Sequence, residues 1–134
     1  MEYNFLLFND NKLLIKENEN FLSLNQENLI NLKEEITLIS TFEIKVKNPL
    51  SMKVLEHLIN NEVVICFDKV SSALKEIEDN KIIAHLNREN FKKISFPIFV
   101  QSKYLKNYLK FTGFKFELST FLEISNFQEI GLNS

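Results

Sequence analysis

The stretch that most constrains the fold is 94–124, ISFPIFVQSKYLKNYLKFTGFKFELSTFLEI. Ile94, Phe96, Ile98 and Val100 alternate with Ser95, Pro97, Phe99 and Gln101, the period of two that marks a strand. Phe99 breaks the polarity, so both faces of that strand are expected to be covered. Pro97 has no N–H to give a sheet ladder, which predicts a bulge or the open side of an edge strand. From Lys103 the period lengthens. Tyr104, Leu105, Tyr108, Leu109 and Thr112 share one helical face, and Lys103, Lys106, Asn107 and Lys110 share the other. Ser102 stands where an N-cap is wanted, and Gly113 where a left-handed residue ends a helix. Phe114, Phe116 and Leu118 then alternate with Lys115, Glu117 and Ser119, which predicts a return to strand.

The rest of the chain reads as further layers of the same unit. Residues 3–8 and 13–16 flank the turn formers Asn9, Asp10, Asn11 and Lys12, predicting a hairpin with a four-residue loop. A polar connection comes next over 16–20, then a helix over 26–35 capped by Asn25, then a strand over 36–46. Asn48-Pro49 is a good helix start, with Leu50, Val54, Leu55 and Leu58 inward, Ile59 at the margin of that face, and Asn60-Asn61 as the stop. The β-branched run at 62–67 has the composition of a central strand. Asp68 then caps an expected helix over 69–79, and 81–86 is another strand. Residues 87–93 are expected to turn, and 128–134 to fray. Alternation of this kind predicts one domain over residues 1–134, an α/β (α+β) fold with a mixed sheet flanked by helices. A chain of 134 residues is long enough to bury roughly two-thirds of its unfolded surface.

Composition excludes several functions. A net charge of −2 with a single arginine, Arg88, gives no electrostatic case for sequence-independent nucleic-acid binding. Two glycines, Gly113 and Gly131, cannot build G-x-x-x-x-G-K-[ST], G-x-G-x-x-G or G-x-S-x-G. No apolar run approaches the roughly twenty residues that cross a bilayer. The first residues, MEYNFLLFNDNK, lack the basic region of a secretory signal. Cys66 is alone, which suits a reducing compartment, and a cytoplasmic protein is expected.

His57, Cys66 and His85 show no metal-ligand spacing, so no metal site is expected. His57 reads as a half-exposed helix residue. Cys66 lies in the apolar run EVVICF, where a thiol behaves as a small hydrophobe. His85, near the end of a strand, reads first as a hydrogen-bonded structural histidine and second as a candidate catalytic base. Phe111, Phe114, Phe116, Phe121 and Phe127 are expected mostly in the core, with some emerging as an apolar patch.

Residues 94–117, with VQSKYLKNYLKFTGFKFE at their heart, resemble the C-terminal half of GNAT-fold acetyltransferases, most of all small GNAT-like proteins of phages. The resemblance implies that 62–67 is the central strand and 69–79 the cofactor-facing helix. In that family a Q/R-x-x-G-x-G/A loop closes backbone amides on the CoA pyrophosphate. Here the matching residues run from Asp68 to Ala73 without glycine, leaving Lys69, Ser71 and Ser72 as the candidates for cofactor contact. The family's general-acid tyrosine falls at Leu109, with Tyr108 one residue away, so Tyr108 joins His85 as a catalytic candidate. The resemblance therefore implies a GNAT-like domain that binds a macromolecular partner, of the phage or mobile-element inhibitor kind, without cofactor or acetyl transfer. The alternatives are an acetyl-CoA-dependent N-acetyltransferase and a structural or homo-oligomeric module. The expected partner is another protein or a second copy of the chain, with no membrane and no nucleic acid.

Overall fold

In the computed structural model the described residues are 2–45, 48–69, 74–78, 81–86 and 92–131. Strand β1 (Asn4–Asn9) and strand β2 (Lys12–Glu17) form the expected hairpin. Its loop is two residues, not four. Asp10 and Asn11 take φ of 50° and 59°, the paired left-handed conformation of a tight turn that matches strand twist. The polar connection expected over 16–20 is a second hairpin, leading to β3 (Asn20–Ser23) with Asn18 at φ 57°. Short polar side chains reach the left-handed region at low cost, so they turn the chain where a longer loop was expected. β3 is an edge strand, so it needs no buried stripe and carries none.

The helix expected over 26–35 shrinks to one 3-10 turn, Asn28–Asn31. Asn25 does cap it, its Oδ1 accepting from the amides of Glu27 at 2.9 Å and Asn28 at 3.0 Å. The thin stripe, Leu29 and Leu32, is buried by that single turn. Strand β4 (Ile36–Ser40) comes next and is buried along its whole length; it stops well short of 46. Helix α1 (Met52–Asn60) begins three residues later than Asn48-Pro49 suggested. Ser51 Oγ is its cap, accepting from Val54 N at 3.3 Å. Asn61 ends it, donating from backbone and side chain to the His57 carbonyl at 3.0 and 2.9 Å.

Strand β5 (Val63–Lys69) runs two residues further than expected, and the next element is a strand in place of the expected helix. Strands β6 (Leu74–Glu78) and β7 (Lys81–Leu86) pair antiparallel as a separate two-stranded ribbon. LKEIE suits a helix or a strand by period alone, and pairing with KIIAHL decides it. Strand β8 (Lys92–Gln101) lies in the middle of the main sheet, between β4 and β5. Pro97 is accommodated by a bulge. Pairing with β5 slips between Val64↔Phe99 and Cys66↔Ser95, and pairing with β4 has already ended at Ile98.

Helix α2 (Ser102–Thr112) buries Leu105, Tyr108 and Leu109 and exposes Lys103 and Lys110, as the sequence predicts. Ser102 is its first residue and not its cap; its hydroxyl turns inward to Thr37 Oγ1 at 2.7 Å. Gly113 stands at φ 67° and stops the helix. A Cβ there would meet nothing within 4 Å, so only the backbone conformation resists substitution. Gly113→Ala is expected to cost about 1–2 kcal/mol and Gly113→Val more, read from urea unfolding. An unchanged midpoint for both would show that this turn stores no such preference.

The strand expected from Phe114 is absent. Phe114 itself takes φ 66°, and the chain turns into helix α3 (Leu118–Ile124). The spacing of Leu118, Phe121 and Leu122 is helical, and it outweighs the short alternation before it. Residues 127–131, mostly expected to fray, form strand β9 (Phe127–Gly131), parallel to β5. The main sheet thus has the order β3-β2-β1-β4-β8-β5-β9. Helices α2 and α3 and the link between them cover one face through Leu105, Leu109, Phe116 and Phe121. Helix α1 and Leu50 just before it cover the other, with Val54 and Leu58, against Leu38, Val64 and Phe99. A mixed sheet flanked by helices is what the sequence predicts, and it is what forms.

Candidate functional site

Strand direction locates the site. β1 is parallel to β4, β4 and β5 are each antiparallel to β8, and β9 is parallel to β5, so β1, β4, β5 and β9 point one way. After β1 the chain turns outward through β2 and β3. After β4 it crosses by α1 to β5 on the other side. The two connections part between the carboxyl ends of neighbouring parallel strands, the place where open α/β sheets hold ligands.

A crevice of about 1090 Å³ opens beside the carboxyl end of β1, on the face covered by α2 and α3. The first hairpin supplies Phe8, Asn11 and Lys12; the end of α2 and its link to α3 supply Tyr108, Thr112, Phe114, Lys115 and Glu117. The link is pinned in place. Phe114 N donates to the Leu109 carbonyl at 2.8 Å, and Thr112 Oγ1 donates to the Lys115 carbonyl at 2.9 Å. Phe116 anchors it from below, edge-on to Phe8 at 5.7 Å and to Tyr108 at 6.2 Å between ring centres. Lys12 and Lys115 stand exposed at the rim. Among the described residues the ion pair is Lys16 to Glu43 at 3.8 Å, so neither rim lysine is neutralised in one. Glu117 is exposed, its Oε1 accepting from Ser119 Oγ at 3.2 Å.

Of the candidates read from sequence, Tyr108 lines this crevice. It is 7% exposed, and burial, then Tyr104 and Glu117, push its phenol above the usual value, so it keeps its proton at neutral pH. His85 lies in β7 of the separate ribbon, opposite Lys75, and so belongs to a different sheet from the crevice strands. Lys69 is the last residue of β5, opposite Lys92. Ser71 and Ser72 lie outside the described residues. Cys66 is half-buried on β5, and burial raises its thiol pKa, with Lys53 opposing, so it remains a thiol and not a nucleophilic thiolate. Among the described residues no three His, Cys, Asp or Glu side chains gather as metal ligands, and no helix is long and apolar enough to cross a membrane. Sequence reasoning missed Lys12 and Lys115. The signal for the first was the Asp10-Asn11 turn, which fixes the next residue at a strand end.

No protein-family model matches the chain, and no curated protein matches it in sequence. Solved structures do match its fold. It is similar to 4-diphosphocytidyl-2C-methyl-D-erythritol synthase from Anaerococcus prevotii, with TM-score 0.56 and 20% identity over 78% of this chain and 52% of that one. It is similar to 2-C-methyl-D-erythritol 4-phosphate cytidylyltransferase from Thermus thermophilus, with TM-score 0.59 and 16% identity over 77% and 54%. The bifunctional IspDF from Campylobacter jejuni aligns at TM-score 0.53 and 21% identity, over 78% of this chain and 28% of that one. The chain spans about half the length of the first two.

These neighbours overturn the GNAT resemblance, and the function drawn from it, partner-binding or acetyl-transferring, falls with it. The physical reason is visible in two elements. The helix that would have faced CoA is part of the β6–β7 ribbon, and the Gly113-Phe114 stop leads into α3 and not into a strand. What the likeness establishes is the fold: a sheet of the cytidylyltransferase type, matched over about half of each of those chains.

Proposed function

We propose that this chain is a nucleotidyltransferase-like domain that binds a nucleotide, of the cytidine class, in the crevice at the carboxyl end of β1. The observation that carries this reading is that crevice at the carboxyl end of β1, one of the two parallel strands where the chain's connections part. Its two kinds of wall suit the two ends of a nucleotide. Phe8 and Phe114 offer apolar ring surface to a base, and Lys12 and Lys115 offer charge to phosphates from opposite sides. The similar solved structures are cytidylyltransferases, which supports cytidine over other bases. With glycine confined to Gly113 and Gly131, lysine charge takes the part that a glycine-rich amide cradle plays elsewhere. In nucleotidyl transfer an acceptor oxygen attacks the α-phosphorus and pyrophosphate leaves. The two lysines would meet the charge on that leaving group. A reducing, cytoplasmic compartment fits this reading, since it keeps the lone Cys66 a thiol.

The test is a thermal-shift and calorimetric titration with CTP, UTP, ATP and GTP, with and without Mg²⁺. CTP at a hundred times its Kd is expected to add about 2.7 kcal/mol to stability. The double variant Lys12→Ala/Lys115→Ala should lose that response while melting unchanged without ligand. A further arm adds 2-C-methyl-D-erythritol 4-phosphate and monitors pyrophosphate release. No response to any nucleotide at millimolar concentration would overturn the reading.

A further inference from the structure

The opposite end of the sheet, where β4 begins and β8 ends, carries a second groove, of about 810 Å³, between α1 and the first turns of α2. Its floor is tied together by hydrogen bonds. Gln101 Nε2 donates to the carbonyls of Leu58 at 2.6 Å and Asn61 at 3.0 Å, and Ser102 N donates to the Glu35 carbonyl at 2.8 Å. One wall is apolar without being covered. Val54 and Leu58 of α1 point into the core, while Met52 and Ile59 are 71% and 76% exposed, with Leu55 half-buried between them. The residues 52, 55 and 59 fall on one helical stripe. The other wall is basic. Lys103, Lys106 and Lys110 share a stripe on α2, whose sequence SKYLKNYLKFT holds no carboxylate. Glu34, Glu35 and Glu56 also line the groove, yet none of the three lysines forms an ion pair among the described residues.

Like charges one turn apart repel, and two large apolar side chains stand in water. A ligand with an alkyl chain and an anionic head answers both. We propose that this groove binds a single-chain anionic amphiphile, its chain against Met52, Leu55 and Ile59 and its carboxylate or phosphate head on Lys103 and Lys106. The volume is that of a site for one small molecule. A flat membrane surface would meet the same residues, but the groove is concave and its floor is fixed before any ligand arrives. The site is separate from the nucleotide crevice and independent of that reading.

The experiment titrates the whole chain with decanoate, decyl phosphate and uncharged decyl maltoside below their micellar concentrations, and with anionic and neutral vesicles. Binding is monitored by amide NMR shifts. One saturable site is expected for decanoate and decyl phosphate, with maltoside weaker by about tenfold or more. The variants Lys103→Gln/Lys106→Gln and Ile59→Asp change side chains at the surface, so both should stay folded by circular dichroism and both should lose binding. The CTP response should be unaffected. Equal binding of maltoside, binding untouched by either variant, or binding to vesicles alone would each overturn the proposal.

Discussion

Phe121→Ala is expected to lower the stability of the fold by about 3–5 kcal/mol, a large share of the roughly 5–15 kcal/mol available to a domain. Phe121 is 0% exposed and sits among three other rings, 4.9 Å from Tyr108, 5.0 Å from Phe116 and 5.6 Å from Tyr104 between centres. Removing it empties space that α2 and α3 share, and three rings packed around that space cannot all move in to fill it. The comparison that gives the number meaning is Phe111→Ala. Phe111 is 89% exposed, so its loss should stay within about 0.5 kcal/mol. Urea unfolding of both variants measures the contrast. Equal effects would mean that α3 does not dock as described.

The same pair of phenylalanines shows what the sequence could carry. Over 94–113 period and glycine stop agree, and strand, helix and left-handed Gly113 all form there, though Ser102 is not the cap expected of it. Agreement between levels is what makes a segment legible. After Gly113 the levels conflict. FKFEL alternates like a strand, but Leu118, Phe121 and Leu122 repeat like a helix, and Phe114 at φ 66° has already turned the chain. A left-handed phenylalanine leaves no trace in periodicity. At 69–79 the missing information was the partner: LKEIE becomes a strand only because KIIAHL is there to pair with it.

The candidate site was less legible than the fold, for a related reason. The helix face identified Tyr108 as buried, but it was named as a site candidate only through the resemblance that the fold overturns. Lys12 and Lys115 are separated by most of the chain and meet at one crevice through the order of the strands. Strand order is set by pairings between distant residues, such as Leu6↔Ile39 and Val64↔Phe99. No local pattern contains them. The glycine count excluded familiar phosphate loops, but it could not point to lysines on two separate turns.

The second large effect is expected at Asn4, at the amino end of β1 and the end of the sheet opposite the crevice. This side chain is only 9% exposed, and it joins three parts of the chain. Its Nδ2 lies 3.0 Å from the Glu34 carbonyl, 3.2 Å from Thr37 Oγ1 and 3.2 Å from Ser102 Oγ, while its Oδ1 accepts from Glu34 N at 3.1 Å. Thr37 and Ser102 complete the cluster at 2.7 Å from each other. Asn4→Leu keeps the branching and the number of side-chain heavy atoms, adds some bulk, and removes the partner of both Glu34 backbone groups. Each polar group left without a partner costs about 1–3 kcal/mol, so a loss of about 2–4 kcal/mol is expected. Ser102→Ala should cost less, because Thr37 Oγ1 and the Glu34 carbonyl still accept from Asn4 Nδ2. A double-mutant cycle between the two should show coupling of about 0.5–3 kcal/mol, since they share one network. The cluster fixes where β1 begins against β4, with Asn4 opposite Thr37, and so fixes the register that carries Phe8 of β1 to the crevice. Asn4→Leu should therefore broaden the amide signals of Asp10 and Asn11 at the far end of β1. Wild-type stability in Asn4→Leu would show that the hydrophobic pairing alone sets that register.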